Sequence, residues 1–480
     1  MKTYCNPLPI PDLVSGRVLD QQSDNNNPLG GDYRSIADPS VVYHEGKWIM
    51  YPSYSIAYQS SDFVTWEKID IGIPHLRYSP AVVQFRGKWY LNGHGMSELY
   101  VSDSPTGPFE VLGHLTKPNG KPLRPADACF LADNDRLFIY YCNAVEKNEN
   151  DGSAIYGTLG AELCPDKPWQ LISEPVEINR FEPEVSWQCH GARNQNRGLG
   201  WIEGQWAKKI NGRYYLLYSG CGTEFPAYAN GICYSDEGPL SGFKKQKKHD
   251  PVSLKTTGIV KGAGHGCLCD GPNGSLWLFY TNILGYAHPF ERRISMDRVY
   301  LDENGELYCK ELTEEPRFIP DEACGESDTT PDWLNLTLYQ RPKASSSTQG
   351  REGIYACDDS MLSWWQPKDD DKEPTLTVPF GSDTAYYIRA FRLIWRDVGM
   401  DCQNNILPGA FGYRLEYSPD KEQKNWLCLY DASKNTHDLP VDYRETAKVK
   451  AYAVRLKIMS HPKGITPGLI NFSCFGHYQL

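Results

Sequence analysis

Three carboxylic acids stand at matching places in a recurring pattern. Asp38 opens "DPSVVYHEGKWIMY", Asp127 opens "DACFLADNDRLFIYY", and Glu203 opens "EGQWAKKINGRYYLLYS". In each, a charge precedes a run of apolar and aromatic residues that reads as strand. One Asp at a strand start is ordinarily a turn residue that serves local backbone N–H groups. Three in register are harder to explain that way, because massed like charges are costly unless used. One carboxyl kept protonated beside others that stay ionised is the equipment of general acid–base chemistry.

The elements that must position these acids are hairpins. "SPAVVQFRGKWYL" starts at Ser79 and "HGCLCDGPNGSLWLFYT" at His265, which brings the units to five. Each has a first strand, a tight turn with Gly, Asn or Asp, and an aromatic-rich second strand. The flanks repeat as well, since "YVSDSPTGPFE" (100–110) resembles "CYSDEGPLSGF" (233–243). From the unit start to the turn is 8 residues for Asp38, Ser79 and Asp127, and 9 for Glu203 and His265. Five units of about four strands each point to a five-bladed β-propeller. The five starting side chains are then expected to ring one mouth of a central channel.

Two carboxyls facing across a gap suit cleavage of a glycosidic bond. One protonates the leaving oxygen and the other activates a water or attacks directly. Acids on different blades suit the wider, inverting separation. A third carboxylate raises the proton affinity of the acid beside it.

The sequence resembles glycoside hydrolase family 43, the five-bladed propeller enzymes that act on arabinosides and xylosides. "ADPSVVYHEGKWIMY", "PADACFLADNDRLFIYY", "WIEGQWAKKINGRYYLLYS" and "GAGHGCLCDGPNGSLWLFYT" carry the resemblance. It implies that Asp38 is the general base, Glu203 the general acid, and Asp127 the residue that raises and orients the acid. It implies inversion at the anomeric carbon. His265 resembles the family's channel histidine, a candidate contact to a calcium ion or a water cluster. Arg292, in "ERRISMDRVYLDENGEL", resembles an arginine that points into the pocket, with Arg293 as the alternative. Ser79 holds the blade-two place. The long insertion 172–200 offers Trp187, His190 and Arg193 as substrate contacts, and His75 and His94 lie near blade two.

Composition bounds the partners. The formal charge of −11 argues against nucleic acid or an anionic membrane, and a neutral oligosaccharide fits better. No apolar run has the roughly 18 residues that a membrane span needs. "MKTYCNPLPIPD" has no apolar leader core, so a cytoplasmic address is expected. The fifteen cysteines form no CxxC pair and read as free thiols packed as small hydrophobes. His44, His75, His94 and His190 lack metal-ligand spacing. A single imidazole is weak ground for calcium, which prefers several oxygens. No cofactor is expected for the chemistry, with a structural calcium in the channel as a further expectation.

Residues 1–310 are expected to form the propeller and 311–345 a linker or wrapping arm. Residues 346–480 are expected to form a β-sandwich, from the short alternating strands in "YIRAFRLIWRD", "YRLEYSPD" and "AYAVRLKI". This last part resembles the discoidin-like (factor 5/8 type C) galactose-binding module. That makes Trp364 and Trp365 candidates either to stack on sugar or to fill the core, and gives the module a possible role in bracing or in a homo-oligomer. The sugar expected first is terminal L-arabinofuranose, then D-xylose, with galactofuranose a further candidate. A non-catalytic glycan-binding propeller is the alternative of another class, and it predicts the loss of at least one acid.

Overall fold

Runs such as "RLFIYY" show no alternation of polar and apolar residues, because both faces of each strand are covered. Leu137, Ile139 and Tyr141 pack with Ala81, Phe85 and Leu99 of the preceding sheet. Phe138 and Tyr140, between them in sequence, pack with Leu216 and Tyr218 of the following sheet. The period-two alternation of a strand is thus present, but it selects between two apolar neighbours. The structure, a computed structural model, describes residues 2–15, 32–54, 56–74, 76–147, 154–285, 288–320, 330–381 and 383–478.

The protein is all-β and divides into two compact units. One is Ile36–Ile283 with Arg292–Leu312. The other is Met1–Ser35, Leu284–Glu291 and Thr313–Leu480, so the division does not fall at a single point near residue 310.

Among its described residues, the first unit holds five antiparallel sheets. Their first strands are Ser40–His44, Ala81–Phe85, Ala126–Asp133, Glu203–Ile210 and Gly264–Asp270. Four sheets have four strands in sequential order. The third gains a fifth strand, Val176–Arg180, from the insertion. The first strands neighbour one another in the cyclic order one, two, three, four, five, one, a propeller-like arrangement. Apolar side chains fill the space between successive sheets. Between five and one, Phe63 sets its edge against Trp277 and Phe279.

The second unit contains a four-stranded and a five-stranded antiparallel sheet. Phe391, Leu393 and Phe472 of one share a core with Leu376, Val454 and Leu456 of the other. Two short strands from the expected linker, Leu334–Asn335 and Lys343–Ala344, pair at the edges of these sheets. Neither tryptophan is a sugar platform. Trp365 is wholly buried, and its indole N–H donates to the Ser346 carbonyl. Trp364 is buried, with the guanidinium groups of Arg351 and Arg396 at 3.2 and 3.6 Å from its ring centre.

Candidate active site

Asp38, Ser79, Asp127 and His265 all adopt left-handed backbone conformations, with φ of 55°, 46°, 45° and 44°. That conformation costs a non-glycine residue about 1–3 kcal/mol and collects at functional sites. In sheets three and five it coincides with a β-bulge, where two residues oppose one on the second strand. In sheet four the left-handed residue is Gly204, φ 62°, and not Glu203. This corrects the sequence alignment, because the distance from Gly204 to the turn glycine Gly212 is 8 residues, as in the first three units. Glu203 sits one position earlier, on the ladder rung opposite Ser219, and is the counterpart of Ala126 and Gly264. Asp38 and Glu203 therefore leave the backbone from different positions, Asp38 from the left-handed residue and Glu203 from the residue before it.

Hydrogen bonds draw these strand starts together. The Asp38 N–H donates to Thr281 Oγ1 at 2.9 Å, and Ser53 Oγ donates to Asp38 Oδ2 at 2.6 Å. Arg292 Nη1 and His265 Nδ1 each lie 3.4 Å from Asp38 Oδ1. His265 Nδ1 is also 4.0 Å from Asp127 Oδ2, and its Nε2 is 2.8 Å from Ser79 Oγ. The Gly204 N–H donates to Asp127 Oδ2 at 3.4 Å, and His94 Nδ1 is 2.6 Å from Asp127 Oδ1. Tyr228 donates to Glu203 Oε1 at 2.7 Å. Asp38, Ser79, Asp127, Glu203, His265 and Arg292 thus belong to one connected cluster.

Two acids of this cluster are driven in opposite directions. Burial and the charge of Asp127 push Glu203 up to about 7, against the pull of His265 and of the Tyr228 hydroxyl. Burial also works to raise Asp127. The charge of His265, the bond and charge of His94, and the Gly204 N–H outweigh it, and hold Asp127 well below the usual carboxylate range. A neutral carboxylic acid beside an obligate carboxylate is the division of labour that proton donation requires.

The other expected residues sort differently. Arg292 reaches Asp38 and Thr223, whereas Arg293 turns back to the Arg292 carbonyl. Trp187 is not a substrate contact. It is buried in the core between sheets three and four, donates to Asp250 Oδ2 at 3.0 Å, and lies tightly against Gly220 and Gly231. Its insertion adds the strand Val176–Arg180 and, through Val185 and Trp187, apolar bulk to the core between sheets three and four. His190 pairs with Glu224 at 3.1 Å, one residue from the Thr223 that binds Arg292. Arg193 is exposed, and His75 lies outside the described residues.

Both ring nitrogens of His265 face protein oxygens, Nε2 the Ser79 hydroxyl and Nδ1 the Asp38 carboxylate. Among the described residues, no group of three or more His, Cys, Asp and Glu is arranged to hold a metal ion. None of the described helices is long and apolar enough to cross a membrane. Sequence reasoning missed Tyr228, Ser53 and Thr281. Ser53 follows its second strand and Thr281 lies near the end of its own, and the repeat marks those positions only once the bulge register is known. Tyr228 lies in the connection between the second and third strands of sheet four, outside the repeated strand pattern.

The description "Glycosyl hydrolases family 43" matches residues 27–307, more than half of the chain. The protein belongs to this family and is a glycoside hydrolase acting on O-glycosidic bonds. Among solved structures, a thermostable family-43 glycoside hydrolase is 23% identical over 66% of this chain and 99% of its own, with a TM-score of 0.51. An α-L-arabinofuranosidase from Lactobacillus brevis is 19% identical over 60% of this chain and 96% of its own, TM-score 0.44. A xylan β-1,4-xylosidase from Bacillus halodurans C-125 is 14% identical over 95% and 100%, TM-score 0.46. A search of curated proteins finds no match.

Proposed function

We propose that this protein is an inverting, exo-acting α-L-arabinofuranosidase that trims terminal residues from short oligosaccharides. Asp38 is the base that deprotonates the attacking water, and Glu203 is the acid that protonates the departing oxygen. Asp127 keeps Glu203 protonated. Arg292 and Ser53 hold the Asp38 carboxylate, and Ser79 fixes the His265 ring. The observation that carries these roles is the meeting of three acids from different sheets, with Asp38 and Asp127 both beside His265 and the Gly204 N–H, next to Glu203, donating to Asp127. The five sheets are read as blades of a closed propeller, which the cyclic order of their first strands supports. The C-terminal sheets are read as a discoidin-like sandwich, supported by their shared core.

Water attacks the anomeric carbon from the side of Asp38, and its proton passes to that carboxylate. The bond to the leaving oxygen breaks as Glu203 gives up its proton on the opposite side. The choice of arabinofuranose over xylose or galactofuranose rests on family resemblance, and the experiment decides it. Nitrophenyl α-L-arabinofuranoside, β-D-xyloside and β-D-galactofuranoside are compared with wild type and Glu203→Gln. Release from the arabinofuranoside, abolished in the variant, is expected. Release from another sugar replaces the substrate, and binding without release replaces the enzyme by a lectin.

A further inference from the structure

The joints between neighbouring sheets follow one pattern with two exceptions. A residue on or just after the second strand, opposite the strand start, reaches to the backbone N–H of the left-handed residue in the next sheet. Ser53, paired with Ala37, accepts from Ser79 at 3.0 Å. Ser219, paired with Glu203, accepts from His265 at 2.7 Å. Thr281, paired with Gly264, accepts from Asp38 at 2.9 Å. Three joints therefore use a hydroxyl. The same place holds His94, paired with Tyr78, in sheet two, and Cys142, paired with Ala126, in sheet three. These exceptions flank Asp127 on its two sides.

Each exception redirects the Asp127 carboxylate. A thiol is a weak acceptor, and the N–H of Gly204 goes to Asp127 Oδ2 instead. On the other side, His94 Nδ1 is 3.3 Å from the Asp127 backbone nitrogen, where a hydroxyl would accept, but only 2.6 Å from Oδ1. A nitrogen and an ionised oxygen at that distance need a proton between them. Nδ1–H therefore donates to the carboxylate, and both oxygens of Asp127 are held. The loop is fixed for this purpose: His94 N–H donates to the Tyr78 carbonyl at 2.9 Å and Gly95 N–H to the Pro125 carbonyl at 2.7 Å.

We propose that His94 is a positioning residue for the acid pair, keeping Asp127 ionised and oriented in a place where the fold itself requires only a hydroxyl. This rests on the hydrolase reading of the site. The titratable and charged groups around His94 are Asp127, Glu203, Asp38, His265, Tyr78 and Arg77. Of these, Asp127 makes the direct bond.

The fold supplies its own control. His94→Ser installs the residue found at the joints after sheets one and four, so folding is expected to survive. His94→Asn keeps an N–H donor near the Nδ1 position without the charge. Against the nitrophenyl glycoside that wild type cleaves, His94→Ser should lose at least ~10-fold in kcat with a smaller change in KM. Its acid limb should move to higher pH, because Asp127 loses a partner that favours ionisation. His94→Asn should recover part of kcat. Wild-type kcat and an unmoved acid limb in a folded His94→Ser overturn the proposal, as do equal losses in Ser and Asn. If His94→Ser does not fold, the acid limb of His94→Asn decides, and an unmoved limb overturns the proposal. A wild type that cleaves no glycoside fails the functional reading instead.

Discussion

The hydroxyl of Tyr228 donates to Oε1 of Glu203 at 2.7 Å, and so occupies one of the two oxygens of the proposed acid. The proton that Glu203 delivers is then carried on Oε2. The ring of Tyr228 is held against Gly264, where an added Cβ would meet it at 2.2 Å. Tyr228→Phe should lower kcat about 10-fold, the size of a positioned proton-transfer interaction. It removes a donor that favours the ionised form, so the alkaline limb should move to higher pH. A pH–rate profile of the variant checks both, and an unmoved alkaline limb removes Tyr228 from control of the proton.

Asp127 acts on Glu203 through charge. As the proposed acid, Glu203 must be protonated to act, so activity should fall as pH rises through about 7. Asp127→Asn removes a charge that raises Glu203, and the alkaline limb should shift downward. Kinetics from pH 5 to 9 measure this, and an unchanged limb would falsify the role.

Gly204 and Gly212 are both left-handed, at φ 62° and 85°. At Gly212 an added Cβ meets nothing within 4 Å, whereas at Gly204 it comes to 3.0 Å from both His265 Cγ and Ser219 Oγ. Each Ala substitution should carry a conformational cost of about 1–2 kcal/mol, visible in urea melts. Only Gly204→Ala should also lower kcat, by more than ~10-fold. Equal activity in the two would separate the Gly204 backbone from catalysis.

Trp187→Ala should destabilise by about 3–5 kcal/mol, the usual cost of deleting a buried Trp. KM of the folded fraction should stay near wild type, because the indole faces Tyr218 and Asp250. Denaturant melts paired with KM test this, and a raised KM at unchanged stability would return Trp187 to the substrate.

The repeat exposed the first strands and their acids because a strand start, an apolar run and a tight turn are all local in sequence. The register at Glu203 was not legible. A bulge adds a residue without changing composition, and only the left-handed Gly204 shows where it lies. Trp187 reads as a binding aromatic because it follows a polar loop, yet the cavity it fills is built by Gly220 and Gly231, more than thirty residues later. Trp364 and Trp365 are adjacent letters with different fates, one between two arginines and one in the core. The bond from Tyr228 to Glu203 joins side chains 25 residues apart with no spacing rule to announce it.

Thr281, near the end of the second strand of sheet five, accepts the backbone hydrogen of Asp38. That hydrogen can exchange with solvent only when this late segment lets go, so deuterium labelling should find the Asp38 amide opening together with Leu278–Tyr280. Asp38, the proposed base and among the earliest parts of its unit to leave a ribosome, therefore stays unseated until one of the last has been made. A nascent chain halted before sheet five should bind and cleave nothing, however well its first four sheets have formed.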